Sequence, residues 1–246
     1  MKVIIPTRYD STRFPGKALF PLWNNRPMIA IVHHMVHKTG LFDSIYIATD
    51  SKKILQHFEK EKTPIVKTGR HHTGTDRVAE AANILGCQDE DVIINIQGDI
   101  PTISIPLLSN FCEKLHTIQD NEIITIATPR SVYDSRFFDV NSVKVKVDSN
   151  SNAQYFKREW SSDLIENDTW LHHIGIYAYK KKTLINFTEL SQTDNEIKYS
   201  LEQYRAMDNK INIKVALTKY NLEWVDVNTM DDVIMAQSCL NRLERL

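Results

Sequence analysis

The first half of the 246-residue chain alternates short apolar, β-branched runs with stretches of helical period. The runs fall at residues 3–6, 45–48, 65–66, 92–96 and 123–127, and the helical patterns at 28–38, 52–62, 76–85 and 105–115. A strand as strongly apolar as VIINI (residues 92–96), with Asn95 its one polar residue, has no face suited to water, so both faces need helices over them. That pattern predicts an α/β fold with a mostly parallel sheet flanked by helices. In such sheets ligands bind beyond the carboxyl ends of the strands.

The second half reads differently. SVKVKVD (residues 142–148) alternates apolar and polar with period two, which predicts a half-exposed antiparallel strand. Another strand is expected at 173–179, a polar helix at 196–207, a last strand near 222–227 and a helix over 230–243. The expectation is one domain over 1–246, with an added lobe at about 130–208. No internal repeat or low-complexity tract is present.

With a formal net charge of −1, no global charge directs the chain to nucleic acid or an anionic membrane. The apolar run at 3–5 is ended by Pro6, too short for a signal or membrane-spanning segment. Cys87, Cys112 and Cys239 are widely spaced and include no CxxC pair, which suits reduced thiols and a cytoplasmic protein.

Local charge is another matter. Directly after KVIIPT comes RYDSTRFPGK, residues 8–17, with Arg8, Arg13 and Lys17 in one loop beyond the first strand. Arginine forks and a lysine point charge suit phosphate oxygens, Ser11 and Thr12 add hydroxyls, and Gly16 permits a tight turn. The spacing is not that of a Walker A loop. Charge alone fits a solvated basic loop equally well.

The order of the residues carries more than their charge. IPxRxxSxRxPGK resembles the signature of the sugar-acid cytidylyltransferases, and most closely that of the CMP-Kdo synthetase (3-deoxy-manno-octulosonate cytidylyltransferase) family. Thr49-Asp50, HTGTDRVAE (72–80), NIQGD (95–99), VKV (143–145), Tyr155-Phe156 with Arg158, HIGIY (173–177) and LEQYR (201–205) follow in the family's order. The resemblance implies a Rossmann-like nucleotidyltransferase fold and transfer of CMP from CTP to the anomeric hydroxyl of a 3-deoxy-ulosonic acid, with release of pyrophosphate. It implies a homodimer formed through the added lobe, no nucleic acid or membrane partner, and a product destined for lipopolysaccharide or capsule.

The resemblance also implies roles for residues. Arg8, Arg13, Lys17 and Asp99 are the expected catalytic set. Ser11, Thr73, Gly74, Thr75, Arg77 and Gln97 complete the expected nucleotide site. Gln97, Arg158, His173, Tyr177, Glu202, Gln203 and Arg205 are expected to hold a small acidic sugar. Asp99 is the implied Mg²⁺ ligand, and a hard carboxylate oxygen suits that ion. The family's VDTPED stands here as VNTMDD (227–232), so Asn228 replaces a metal aspartate and Asp226 lies two residues earlier. The lost charge predicts weaker Mg²⁺ binding. Residues read without the family give plainer alternatives. Asp99 could serve as a turn or helix cap, Glu202 and Arg205 as a surface ion pair at i, i+3, and Thr73-Gly-Thr-Asp as a helix start. His71, His72, His33, His34 and His37 suit solvated or capping roles better than metal binding.

Departures cluster on the sugar side: Ile100 replaces an acid, Tyr199 replaces a glutamate, and KREWS (157–161) differs from the family's segment. The acceptor is therefore open between Kdo, an 8-amino form, a sialic-type ulosonic acid and a polyol phosphate. A nucleotide-binding paralogue without turnover is the non-enzyme alternative.

Overall fold

The structure, a computed structural model, describes residues 1–11, 13–42, 44–59, 61–129, 139–159, 170–218 and 224–243. In chain order the elements begin with β1 (Lys2–Pro6), a 3₁₀ turn (Lys17–Leu19), β2 (Pro21–Trp23), β3 (Arg26–Pro27), α1 (Met28–Lys38) and β4 (Ile45–Thr49). There follow α2 (Lys52–Phe58), β5 (Ile65–Lys67), α3 (Gly74–Ile84), β6 (Val92–Ile96), α4 (Ile105–Leu115) and β7 (Glu122–Thr128). The remainder is β8 (Lys144–Val147), β9 (Ala153–Lys157), β10 (Trp170–Lys180), α5 (Lys181–Glu189), α6 (Asp194–Tyr199), α7 (Gln203–Asp208), β11 (Asn212–Leu217) and α8 (Met230–Leu243). This is the mixed α/β class that the alternation predicts.

The chain forms two compact units: Met1–Ser109 with Glu223–Leu246, and Asn110–Leu222. In the first, β6, β1, β4 and β5 lie side by side and all run parallel. Val3, Ile4, Ile5, Ile93 and Ile94 are fully buried, as a strand covered on both faces requires. Helix α3 packs on these strands, and its Ala79, Ala81 and Ala82 are small enough to let it approach closely. Helix α1 buries Met28–Val32, Met35 and Val36, which explains its apolar run, interrupted by the half-buried His33 and His34.

In the second unit β11 is parallel to β7, β7 is antiparallel to β10, and β8 is antiparallel to both β10 and β9. The predicted half-exposed strand at 142–148 is antiparallel, as expected, but Lys144 is fully buried. Its ammonium donates to the backbone carbonyls of Asp139, Ser142 and Arg158 at 2.7, 2.8 and 2.7 Å. Three carbonyl acceptors match the three ammonium donors, which is how a lysine can enter a core. Burial still pushes its pKa down to about 8.

Two further expectations need correction. The single helix at 196–207 is two, because Ser200 adopts a left-handed backbone (φ 52°) that ends α6. The described part of the expected strand near 222–227 is not a strand, and residues 222 and 223 lie outside the described residues. Its backbone donors are taken singly: Val225 N–H by the Thr102 hydroxyl at 2.6 Å, and Val227 N–H by the Asp99 carbonyl at 2.8 Å.

Candidate active site

The carboxyl ends of β1, β4 and β6 carry the residues of interest. The loop after β1 folds on itself. Gly16 N–H donates to the Tyr9 carbonyl at 3.1 Å, Lys17 N–H donates to the Phe14 carbonyl at 3.2 Å, and Phe14 N–H reaches the Ser11 hydroxyl at 3.4 Å. Gly16 sits at φ 73°, a conformation that costs glycine little. The Lys53 ammonium lies 4.1 Å from the Tyr9 ring centroid and braces the loop from α2. Thr12 lies outside the described residues.

This loop, the start of α3 and the segment after β6 enclose a cavity of about 260 Å³. Arg8, Ser11, Arg13, Lys17, Thr73, Gly74, Arg77, Gln97 and Asp99 all line it. Thr75 does not line it, being buried in the first turn of α3. The Thr73 hydroxyl caps α3 by accepting from Asp76 N–H at 3.1 Å, so a helix N-terminus opens beside the cations. At Gly98 an added Cβ would come within 3.0 Å of the Pro6 carbonyl, so the turn after β6 can lie this close to β1 only with glycine there.

The cations are not equivalent. Arg8 and Arg13 are exposed. Lys17 donates to Asp99 Oδ2 at 2.7 Å and to the Val227 carbonyl at 3.0 Å. Arg77 is buried and spends its guanidinium on the protein: Thr68 Oγ1 at 2.6 Å, the Gly69 carbonyl at 3.1 Å and Asp50 Oδ1 at 3.0 Å. It therefore ties the ends of β4 and β5 to α3 as well as lining the cavity.

Asp226 and Asn228 flank Val227. Burial, and then the negative charge of Asp99, push the Asp226 carboxyl up to about 6. The Asn228 amide nitrogen donates to Asp226 Oδ2 at 2.8 Å. Asp232 fixes the segment by accepting from Asn228 N–H at 2.9 Å and Thr229 N–H at 2.7 Å, the N-terminal cap of α8. The described residues contain no group of three His, Cys, Asp or Glu side chains placed to hold a metal. The donor set here is two carboxylates and an amide. Its oxygens are hard, and the like-charge strain between Asp99 and Asp226 is what a divalent cation relieves, so the set fits Mg²⁺.

Sequence reasoning did not anticipate the Val227 carbonyl or the partner of His71. His71 Nε2 bonds Glu80 Oε2 at 2.5 Å, and the same oxygen accepts Gly69 N–H at 2.7 Å. The His71 bond, opposed by burial, holds the Glu80 carboxyl below its ordinary range. Both His71 and His72 line the cavity. Nine residues separate His71 from Glu80 across a loop and a helix, so no periodicity signals the pair. His33 and His37 stack at 6.4 Å.

The other expected residues lie in the second unit. A register shift in β10 between Ile174 and Tyr177 turns the HIGIY segment. His173 Nε2 lies 2.9 Å from the Thr125 hydroxyl, and burial lowers its pKa to about 3, so the ring is neutral. The Tyr177 hydroxyl accepts from Gln203 Nε2 at 2.6 Å, and burial holds the phenol above its ordinary range. Tyr177, Glu202 and Gln203 line a recess of about 20 Å³ with Tyr179, Phe187 and two isoleucines. Arg158 donates to the Asn141 carbonyl at 3.2 Å. Arg205 keeps the ion pair with Glu202 that its spacing suggests, but as a long contact and away from the surface. It is buried, forks onto Glu196 at 2.8 and 2.6 Å, and leaves Glu202 at 3.9 Å. Burial works against the Glu196 carboxylate, but the Arg205 bonds outweigh it and hold its pKa down. Ile100 is buried in the core, so an acid there would be costly. Tyr199 stacks on Tyr204 at 4.8 Å. Of KREWS, residues 160 and 161 lie outside the described residues.

Comparison with known proteins decides the family. The cytidylyltransferase family model matches residues 2–215. The chain belongs to the cytidylyltransferase family. This cytidylyltransferase is 36% identical to a 3-deoxy-manno-octulosonate cytidylyltransferase of Thermodesulfovibrio yellowstonii, over 97% of each chain. It is 35% identical to an 8-amino-3,8-dideoxy-manno-octulosonate cytidylyltransferase of Shewanella pealeana, again over 97% of each. Among solved structures it is similar to a CMP:2-keto-3-deoxy-manno-octonic acid synthetase complexed with CTP, with a TM-score of 0.85, 26% identity and 98% of each chain covered. The cytidylyltransferase is therefore a nucleotidyltransferase enzyme. None of its described helices is long and apolar enough to cross a membrane.

Proposed function

We propose that this enzyme transfers CMP from CTP to the anomeric hydroxyl of a 3-deoxy-ulosonic acid, Kdo or its 8-amino form, with Mg²⁺ as cofactor. The observation that carries this reading is the cavity at the ends of β1 and β6, lined by Arg8, Arg13, Lys17 and Asp99, with Lys17 bonded to Asp99. Arg8, Arg13 and the α3 N-terminus bind the triphosphate, and Lys17 neutralises charge on the departing pyrophosphate. The anomeric oxygen attacks the α-phosphorus, the bond to the β-phosphate bridging oxygen breaks, and the hydroxyl proton is released. Asp99 and Asp226, with the Asn228 carbonyl oxygen, would hold Mg²⁺, which supplies Lewis-acid polarisation of the phosphate when bound. Thr73, Gly74 and Gln97 shape the nucleotide side.

For the acceptor, Tyr177, Gln203 and Glu202 offer a phenol, an amide and a carboxylate to sugar hydroxyls, while Arg158, which also bonds the Asn141 carbonyl, offers a cation to the acid group. His173, neutral and tied to Thr125, supports the Tyr177 segment. Arg205 forks onto Glu196 and supports the fold of the second unit rather than the sugar. The reading extends to a cytoplasmic homodimer that supplies lipopolysaccharide or capsule synthesis.

The test is pyrophosphate release with CTP, Mg²⁺ and a panel of Kdo, 8-amino-Kdo, a sialic-type acid and a polyol phosphate. Release with one of the first two is expected. Release only with another acceptor reassigns the sugar, and CTP binding without release from any acceptor removes the enzymatic reading.

A further inference from the structure

The Lys17 ammonium touches two oxygens: Asp99 Oδ2 at 2.7 Å and the Val227 carbonyl at 3.0 Å. Val227 stands between Asp226 and Asn228 in the chain, and Asn228 is bonded to Asp226. A carboxylate, a peptide carbonyl and a second carboxylate close by form the oxygen environment of a hard cation. Lys17 thus places its charge among the atoms that a metal ion would use. A divalent ion and an ammonium on the same carboxylate repel each other, so one must yield.

The same lysine lines the cavity with Arg8 and Arg13. Its flexible stem and three rotatable donors let it exchange one set of anionic oxygens for another. A triphosphate in that cavity offers it several. We infer that Lys17 is a built-in stand-in for the metal: it holds Asp99 until triphosphate draws it away, so that nucleotide and divalent cation load together. This inference rests on the reading of Asp99 as a metal ligand. By linkage, the coupling runs both ways: bound triphosphate raises metal affinity, and bound metal raises triphosphate affinity. Lys17 then has a second role besides holding phosphate. It keeps the acidic site from taking up metal before the nucleotide arrives.

Direct Mn²⁺ binding without nucleotide, followed by loss of the free-ion paramagnetic resonance signal, tests this. The proteins are wild type, Lys17→Met, Lys17→Gln, Arg8→Met and Asp99→Asn. Removing Lys17 should tighten Mn²⁺ binding about tenfold or more, although it abolishes transfer activity. Arg8→Met also removes one positive charge from the cavity lining, and should tighten it by less than about threefold through general electrostatics. Equal tightening in the Arg8 and Lys17 variants, or none in the latter, overturns the inference. Asp99→Asn distinguishes the two readings. If it abolishes Mn²⁺ binding while the Lys17 variants bind like wild type, only the stand-in role fails. If it binds like wild type, the metal ligand reading fails and takes the inference with it. Lys17→Gln keeps the side chain polar should Lys17→Met not fold. A larger Mn²⁺-induced rise in melting temperature in either Lys17 variant than in wild type gives a second readout in favour.

Discussion

The cavity of the first unit and the recess of the second are built on opposite plans. The cavity of about 260 Å³ is open, strongly charged and made from loops at parallel strand ends. Its backbone is self-supporting, through Gly16, the Thr73 cap and the Arg77 fork, while Arg8 and Arg13 remain exposed. The recess of about 20 Å³ is lined by side chains that bond one another, as in Gln203 to Tyr177. Supporting residues around it are tied just as closely, His173 to Thr125 and Arg205 to Glu196. A charged ligand with a flexible chain needs cations that can move to it. Under the proposed function, the hydroxyls of the acceptor would meet partners already oriented by buried neighbours.

The contrast can be broken by substitution, and the largest effect belongs to the cavity. Asp99→Ala should lower turnover on the order of 10³-fold and remove its dependence on divalent cation. Steady-state rates across a Mg²⁺ series check this, and Mg²⁺-stimulated turnover in the variant would refute the ligand role. Arg205→Met should act on stability instead. It leaves Glu196 charged and buried, at a cost of about 3–5 kcal/mol in urea denaturation. The folded fraction should keep the wild-type KM for both substrates. A selective rise in sugar KM would instead make Arg205 a direct sugar contact.

A smaller effect follows from His173. Its pKa is about 3 in the folded chain against an ordinary 6.5, so below pH 6.5 the unfolded chain takes up a proton that the folded chain refuses. Stability is therefore complete above about pH 6.5 and falls as the pH drops from there towards 3. Between about pH 6.5 and pH 4.5 the loss from this one ring is on the order of 2 kcal/mol. His173→Gln should flatten that part of the stability–pH curve. An unchanged slope would mean that the ring is protonated in the folded chain. Smallest is Tyr177→Phe, expected to raise the sugar KM by about tenfold and leave the CTP KM alone.

Much of the fold was legible because the parallel strands and their covering helices are written in local patterns. The helices at 28–38, 105–115 and 230–243 coincide with α1, α4 and α8. The misreadings share a cause, because each depended on backbone groups that turns and tertiary folding bring together, or on one backbone angle, neither of which side-chain period records. Lys144 looked like the polar phase of an alternating strand until three carbonyls surrounded it. The helix at 196–207 breaks at Ser200, whose left-handed backbone no serine side chain announces. At the site, residue types and order brought Arg8, Arg13, Lys17 and Asp99 into view. The Lys17–Asp99 bond spans 82 residues and the Lys17–Val227 bond 210, and no local pattern carries such pairs.

The central claim is that the cavity at the ends of β1 and β6 hands a nucleotide to a sugar acid. The fate of label from CTP tests it most directly, with Mg²⁺ and either Kdo or 8-amino-Kdo present. Label in the α-phosphate should appear in a sugar nucleotide, label in the γ-phosphate should appear in pyrophosphate, and Lys17→Ala should abolish both. Label that stays in CTP with both sugars, in protein shown to bind CTP, would contradict the account.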